Sequence, residues 1–313
     1  MDILCYSPRT DAALWMQGIK ERLQEANIRM WQPGDNAPAD YAMVRLPPPE
    51  MLKGRISLKG IFSLSAGVDD ILAALRENPG MLPESVPLFR LEDAGMGIQM
   101  AEYATHWVLG WYRRFGDYQD QKIRKEWMAL DIPPLSEFAV GILGAGVLAM
   151  SVLKGLKPWG FPLRCWSRSL KHIDGVISFH GHDQLPTFLH GTRVLINLLP
   201  DTPQTKDIIN RKLLKQLEPQ SFVMNLARGA QLVEEDLLAA LEAGEVKAAA
   251  LDVFKAEPLP ASHPFWTHPR IAITAHSSAK TIPEASFDYL VEGIRTLEAG
   301  GMPRGRVDIK RGY

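Results

Sequence analysis

The sequence predicts an α/β fold in two doubly wound domains, and three observations carry that prediction. Short apolar runs alternate with helix-like stretches through residues 2–89. From Phe138 the alternation starts again and is more regular. After the last apolar run, residues 283–299 read as a helix with Pro in its first turn. That helix is expected to return to the first domain, which makes the second domain an insertion.

The elements follow in order. A strand is expected over 2–7, then a helix over 12–25 with Leu14, Trp15, Ile19 and Leu23 on one face. Strands follow over 28–31 and 41–44. Leu46-Pro47-Pro48-Pro49 reads as a rigid loop, because each Pro fixes its own backbone and drives its predecessor extended. A strand over 61–64 runs into Ser65-Ala66-Gly67-Val68-Asp69, where a helix starts, and 86–89 gives one more strand. Residues 98–115 read as one long helix crossing between domains. On it His106 reads as a core histidine, and Trp107 and Trp111, at i and i+4, as packing residues. Residues 131–136, with two Pro, read as a linker. Beyond it strands are expected over 138–143, 162–167, 175–179, 193–199, 221–226, 246–251 and 270–274. Helices are expected over 147–157, 183–189, 211–217 and 234–243.

The stretch that organises the second domain is the apolar run from Phe138 to Leu143, which leads into Gly144-Ala145-Gly146-Val147-Leu148-Ala149. In a strand-to-helix turn of this kind the first Gly permits the tight bend. The second lets backbone approach a pyrophosphate, and the third position needs a small residue, here Ala149. The amides and the positive end of the helix dipole then receive the phosphate. A tight turn without a ligand would read the same way. A second apolar strand about 20 residues on favours the ligand, since that is where a ribose-reading residue belongs. The fold is therefore expected to be a Rossmann dinucleotide-binding domain, 99–279, inserted into a smaller flavodoxin-like doubly wound domain, 1–98 plus 280–313.

Bulk properties remove several function classes. The chain has 313 residues, 46% hydrophobic and 23% charged, which suits a globular protein of two domains. A net charge of −1 offers no pull toward nucleic acid or an anionic membrane, and Arg113-Arg114 is too isolated a basic pair to make a patch. No apolar run reaches the ~20 residues of a membrane helix, and no basic start followed by an apolar core suggests a signal peptide. A cytoplasmic location is expected. The 2 cysteines, Cys5 and Cys165, lie inside expected strands and read as buried thiols of a reducing compartment. His180-Gly181-His182-Asp183 has metal-ligand residue types, but without a second cluster a solvated loop is the simpler reading and no metal is expected.

Three segments fall at expected carboxyl ends of second-domain strands, the edge where such sheets bind ligands. They carry Arg228, Glu257 and His276. Each has a plain alternative: a solvated loop Arg, a turn-capping Glu beside Pro258, a non-catalytic His. Together they match what reduction of a small 2-oxo acid needs: a cation for the carboxylate, a proton donor for the nascent alkoxide, and an anion to support that donor.

With these residues the chain resembles the D-2-hydroxyacid dehydrogenase family, and within it the bacterial NADPH-dependent reductases of glyoxylate and hydroxypyruvate. The likeness runs through Ser65 to Asp69, Gly144 to Leu148, Asn197-Leu198-Leu199-Pro200, Asn225-Leu226-Ala227-Arg228-Gly229, Leu251-Asp252-Val253-Phe254 with Glu257-Pro258-Leu259, and His276. The resemblance implies that Arg228 holds the substrate carboxylate and carbonyl, His276 is the general acid and Glu257 its partner. It implies carboxylate binding by amides around Ala66, Gly67 and Val68. Leu199, Pro200 and Asp252 would lie against the nicotinamide ribose and carboxamide, with Ala227 beside them, and the assembly would be a homodimer. Arg45-Leu46, near the expected substrate pocket, would tune substrate preference. Ala275 stands where the family usually has Pro, which would loosen the placement of His276 without loss of activity.

The second strand of the inserted domain ends Cys165-Trp166-Ser167-Arg168-Ser169, without the acid that accepts hydrogen bonds from an NAD ribose. A guanidinium there binds a 2′-phosphate instead, with Ser167 and Ser169 as hydroxyl donors and Lys171 as added charge. NADP is the expected cofactor, and reduction of glyoxylate to glycolate and of hydroxypyruvate to D-glycerate the expected activity. The rivals are reduction of bulkier 2-oxo acids and a nucleotide-sensing binding protein of the same fold.

Overall fold

The computed structural model describes residues 1–8 and 11–313. The chain forms two compact units, Met1–Met96 with Thr281–Tyr313, and Gly97–Lys280. Each is an α/β unit around one parallel sheet. No helix among the described residues is long and apolar enough to cross a membrane.

The first unit holds β1 (Asp2–Tyr6), α1 (Ala12–Arg22), β2 (Asn27–Met30), β3 (Tyr41–Val44), α2 (Pro49–Leu52), β4 (Gly60–Ser63), α3 (Asp69–Glu77) and β5 (Leu88–Phe89). The strands run parallel in the order β2-β1-β3-β4-β5, a flavodoxin-like doubly wound sheet. All four residues of β3 and of β4 are buried, as strands covered on both faces must be. β5 is only two residues long because Pro87, with no N–H, precedes it. Its outer edge is taken by the chain's last segment, where Val307 N donates to Leu88 O at 2.8 Å.

Two expectations fail here. Leu14 is exposed while Trp15, Ile19 and Leu23 are buried, because a one-residue step turns a side chain 100° off the buried face. Pro49 does not stay in a loop; it opens α2 at a position where the missing N–H costs nothing. The C-terminal helix, Pro283–Glu298, packs on α1. Gly18 makes room for the ring of Phe287, which a Cβ would meet at 2.2 Å, and Trp15 meets the same ring edge-on at 5.4 Å.

The second unit opens within α4 (Met96–Tyr112), after its first residue, and continues with α5 (Phe115–Arg124). Its sheet is built from β6 (Val140–Leu143), β7 (Leu163–Ser167), β8 (Val176–His180), β9 (Val194–Asn197), β10 (Ser221–Asn225), β11 (Val246–Leu251) and β12 (Ile271–Ile273). Between them lie α6 (Val147–Leu156), α7 (Gly181–Leu189), α8 (Arg211–Leu214) and α9 (Glu234–Glu242). All seven strands are parallel in the order β12-β11-β10-β9-β6-β7-β8. Order reverses between β6 and β9, the crevice where a Rossmann sheet takes its ligand.

The expected single helix over 98–115 is two. Arg114 adopts a left-handed φ of 60° and its guanidinium pairs with Asp117 at 2.7 Å, which breaks the run. α5 buries only Gln121, so no apolar period announces it. His106 is exposed rather than in the core, edge-on to Trp107 at 5.3 Å. Trp111 stacks on Phe222 at 4.9 Å, and Trp107 lies against the same ring at 6.0 Å. Residues 180–183 are not a solvated loop. β8 ends on His180, α7 starts at Gly181, and the Trp166 indole donates to Gly181 O at 2.8 Å. Among the described residues no three His, Cys, Asp or Glu side chains converge as a metal would require.

Candidate active site

The turn after β6 is built around Gly144, whose φ is +110° and where a Cβ would stand 2.7 Å from Leu198 O. Only glycine fits that approach of the β6 turn to the chain leaving β9. Gly146 caps α6, and a Cβ there would meet nothing within 4 Å. Open space thus lies at Gly146, at the start of a ten-residue helix with Val147 exposed beside it, while Ala145 and Leu148 pack partly and Ala149 fully into the core. Those residues fit a pyrophosphate. At the end of β7, Ser167 does not serve as the expected donor to a phosphate: it is buried and its hydroxyl donates to Ser169 O at 2.8 Å, which leaves it only acceptor capacity. Arg168, Ser169 and Lys171 are exposed beside it.

The neighbouring strand ends are tied by three fully buried amides. Asn197 ends β9, Asn225 ends β10, and Gln231 lies just after Arg228; each is 0% exposed. Asn197 Nδ2 donates to Asn225 Oδ1 at 2.9 Å and to Gln231 Oε1 at 2.7 Å. Asn225 Nδ2 donates to Arg228 O at 2.9 Å. Gln231 Nε2 donates to Leu199 O at 3.1 Å and Pro200 O at 2.9 Å. The backbone that carries Arg228 and the turn of Leu199 and Pro200 are therefore parts of one polar network. Ala227, between Asn225 and Arg228, is buried with it.

Gly229 brings the next strand into the site. A Cβ there would lie 1.9 Å from the carbonyl carbon of Phe254, so the Arg228 turn rests directly on the backbone after β11. Phe254 N in turn donates to Glu257 Oε1 at 3.0 Å, and the other Glu257 oxygen meets His276 Nδ1 at 2.8 Å. Both side chains keep access to solvent, at 36% and 47% exposure. With Nδ1 on the carboxylate, Nε2 is the nitrogen left to face a substrate.

His276 has a φ of +48°, a left-handed backbone uncommon for a residue with a side chain. Asp252 holds it there. His276 N donates to Asp252 O at 2.8 Å. The buried Asp252 carboxylate accepts from Thr274 Oγ1, from Ser277 N at 2.7 Å and from Ser278 N at 2.9 Å. Tyr103 on α4 reaches Thr274 Oγ1 at 2.8 Å and braces the same turn. The histidine turn is thus anchored on both sides of Ala275.

In the first unit Arg45 and residues 66–68 share the carboxyl edge of β3 and β4. Arg45 Nη2 donates to Leu64 O at 2.6 Å, immediately before that loop. Val68 caps α3, so the amides of Ala66, Gly67 and Val68 stand at a helix start.

The family model for the D-isomer specific 2-hydroxyacid dehydrogenase NAD binding domain matches residues 105–278. The chain belongs to the D-2-hydroxyacid dehydrogenase family. Among its relatives, glyoxylate/hydroxypyruvate reductase A of Photorhabdus laumondii is 55% identical over the full length of both chains. The Klebsiella pneumoniae enzyme of the same name is 54% identical, also over both full lengths. A D-isomer specific 2-hydroxyacid dehydrogenase of Xanthobacter autotrophicus, solved with NADPH and MES, superposes with a TM-score of 0.91 at 32% identity, over 100% of this chain and 99% of that one. The NADPH-dependent glyoxylate/hydroxypyruvate reductase of Sinorhizobium meliloti, solved with NADP and sulfate, gives 0.87 at 30% identity with the same coverage.

In this dehydrogenase the sequence named the residue types at the sheet edge but not what positions them. Asn197 and Asn225 had a signal, since each ends an apolar strand with a polar side chain. Gln231, Thr274 and Tyr103 had none, because nothing local marks a residue whose partners lie on other strands.

Proposed function

We propose that the chain reduces glyoxylate to glycolate and hydroxypyruvate to D-glycerate with NADPH. The observation that carries the chemistry is the 2.8 Å contact between His276 Nδ1 and Glu257 on the sheet edge that also bears Arg228. Full-length relatives at 53–55% identity that bear this activity in their names support the substrate class. The second unit is the NADP-binding domain and the first, with its discontinuous C-terminal part, the substrate domain.

NADPH supplies a hydride to the 2-carbon when bound. The chain's own residues do the rest. The Arg228 guanidinium takes the substrate carboxylate and aligns the 2-oxo group, as a planar fork does better than a point charge. His276 enters the reaction as imidazolium, supported by Glu257, and gives the Nε2 proton to the oxygen as the carbonyl becomes a hydroxyl. Each turnover takes up one proton from solution, because His276 must be recharged. Amides of Ala66, Gly67 and Val68, with Arg45, contribute to carboxylate binding. Gly144 to Leu148 receive the pyrophosphate, Arg168 and Ser169 the 2′-phosphate, and Leu199, Pro200, Ala227 and Asp252 the nicotinamide end. The chain acts as a homodimer; the exposed apolar side chains of Phe115, Ile123, Trp127 and Met128, clustered in one stretch, support that.

The test is NADPH oxidation with a panel of 2-oxo acids of rising size. Fastest turnover with glyoxylate and hydroxypyruvate is expected. Faster turnover of a bulky 2-oxo acid would overturn the substrate assignment, and no turnover despite cofactor binding would overturn the enzyme.

A further inference from the structure

Gln231 occupies an unusual place in the buried network. Its side chain has two N–H donors and one oxygen with two acceptor positions. Both donors go to the cofactor-side turn, at Leu199 O and Pro200 O. Both acceptor positions are used too, by Asn197 Nδ2 at 2.7 Å and by the backbone N–H of Arg228 at 3.3 Å. The residue is wholly buried, so water cannot replace any of these bonds. Its own position is fixed because it closes the short helical turn Gly229–Gln231, whose first residue cannot move off the Phe254 backbone.

We infer that Gln231 is a positioning residue which sets the cofactor-side turn of Leu199 and Pro200 and the substrate-holding Arg228 in one fixed relation. The inference rests on the proposed roles of those two segments. The amide acts by its asymmetry. Its NH2 faces the cofactor-side turn, and its oxygen faces the Arg228 backbone. A change in the NH2 alone therefore disturbs cofactor binding, whereas loss of the whole amide disturbs both. Asn197 passes the constraint across the sheet, since it donates to Gln231 and to Asn225, and Asn225 holds Arg228 from its carbonyl side.

Two substitutions separate these effects. Gln231→Leu removes donors and acceptors at similar size. Gln231→Glu keeps the acceptors, but a carboxyl group has at most one donor where the amide has two. In the full-length protein, NADPH affinity is read by titration without substrate, and KM and kcat for glyoxylate by NADPH oxidation, all per folded molecule. Gln231→Leu is expected to weaken NADPH and raise KM, each on the order of tenfold, as misplacement remote from the reacting atoms does. Gln231→Glu is expected to weaken NADPH while KM stays within about twofold of the parent, in keeping with a retained acceptor. Should Gln231→Leu not fold, Gln231→Glu decides alone. Parental constants in Gln231→Glu overturn the coupling, and equal losses on both sides overturn the asymmetry. Arg228→Ala in the same assay separates this from the assignment beneath it. An active Arg228→Ala enzyme sinks the role of Arg228, while an inactive one beside parental Gln231 variants sinks only the coupling.

Discussion

His276 and Glu257 meet at 2.8 Å through Nδ1 and Oε2, and the second Glu257 oxygen is held by the Phe254 amide at 3.0 Å. The carboxylate is thereby fixed by backbone from one side while it holds the imidazole from the other. His276→Ala should lower turnover by about a hundredfold or more, the scale of a lost general acid. Glu257→Gln should lower turnover by a smaller factor, since the imidazole loses the carboxylate that holds it through Nδ1. Parental turnover in Glu257→Gln would sink the pairing.

Arg228 tests substrate binding. Arg228→Ala should cripple turnover, and Arg228→Lys should recover only part of it, because lysine keeps the charge without the planar fork. The measurement is steady-state kinetics with glyoxylate. Equal kcat and KM in Arg228→Lys and the parent would rule out a bidentate hold.

Gly229 tests the packing under that arginine. A Cβ in Gly229→Ala would overlap the Phe254 backbone, so the two turns must part. Loss of stability of about 1–3 kcal/mol is expected, the range for overpacking, together with loss of turnover. Denaturant unfolding checks the first, and a variant as stable as the parent would mean that the turns are not in contact.

The thiols give a pH prediction. Burial pushes Cys5 up to about 12, with a further push from Asp11, and burial alone pushes Cys165 up to about 11. An unfolded thiol titrates at about 8.5, so above that pH the unfolded chain sheds protons that the folded chain keeps. The stability contribution of the neutral thiols is complete below the unfolded value and falls as pH rises toward the folded ones. Unfolding free energy should therefore decline through alkaline pH, and less steeply in a Cys5→Ala, Cys165→Ala double variant. Neither thiol should react with a disulfide reagent at neutral pH until the chain is unfolded. Rapid labelling of the native protein would contradict both statements.

Arg168 tests cofactor choice. Arg168→Ala should weaken NADPH by about tenfold to a hundredfold, the scale of a charge-assisted bond, and leave NADH nearly unchanged. Paired titrations at one salt concentration check this, and equal losses for the two cofactors would refute the phosphate role.

What could be read from sequence follows from where each signal is stored. β3 was legible to the residue, because a strand buried on both faces is a continuous apolar run, and so was β11, although Lys247 interrupts its apolar residues. The glycine turn was legible because its backbone geometry demands particular residues. α5 was not, since it buries only Gln121 and has no apolar period, and His106 was misplaced because one ring on an apolar helix does not reveal which way it points. At the site, Arg228, Glu257 and His276 were legible as residue types at strand ends. The contact between the last two, 19 residues apart, and the network through Gln231 exist only once parallel strands set them side by side.

The most direct measurement is the rate of NADPH oxidation by the purified chain with glyoxylate and with hydroxypyruvate, read beside the same reactions with NADH and with product analysis. The expectation is turnover of both acids, one glycolate or D-glycerate formed per NADPH consumed, and slower reaction with NADH. No oxidation with either acid while NADPH binds, or faster reaction with NADH, would contradict it.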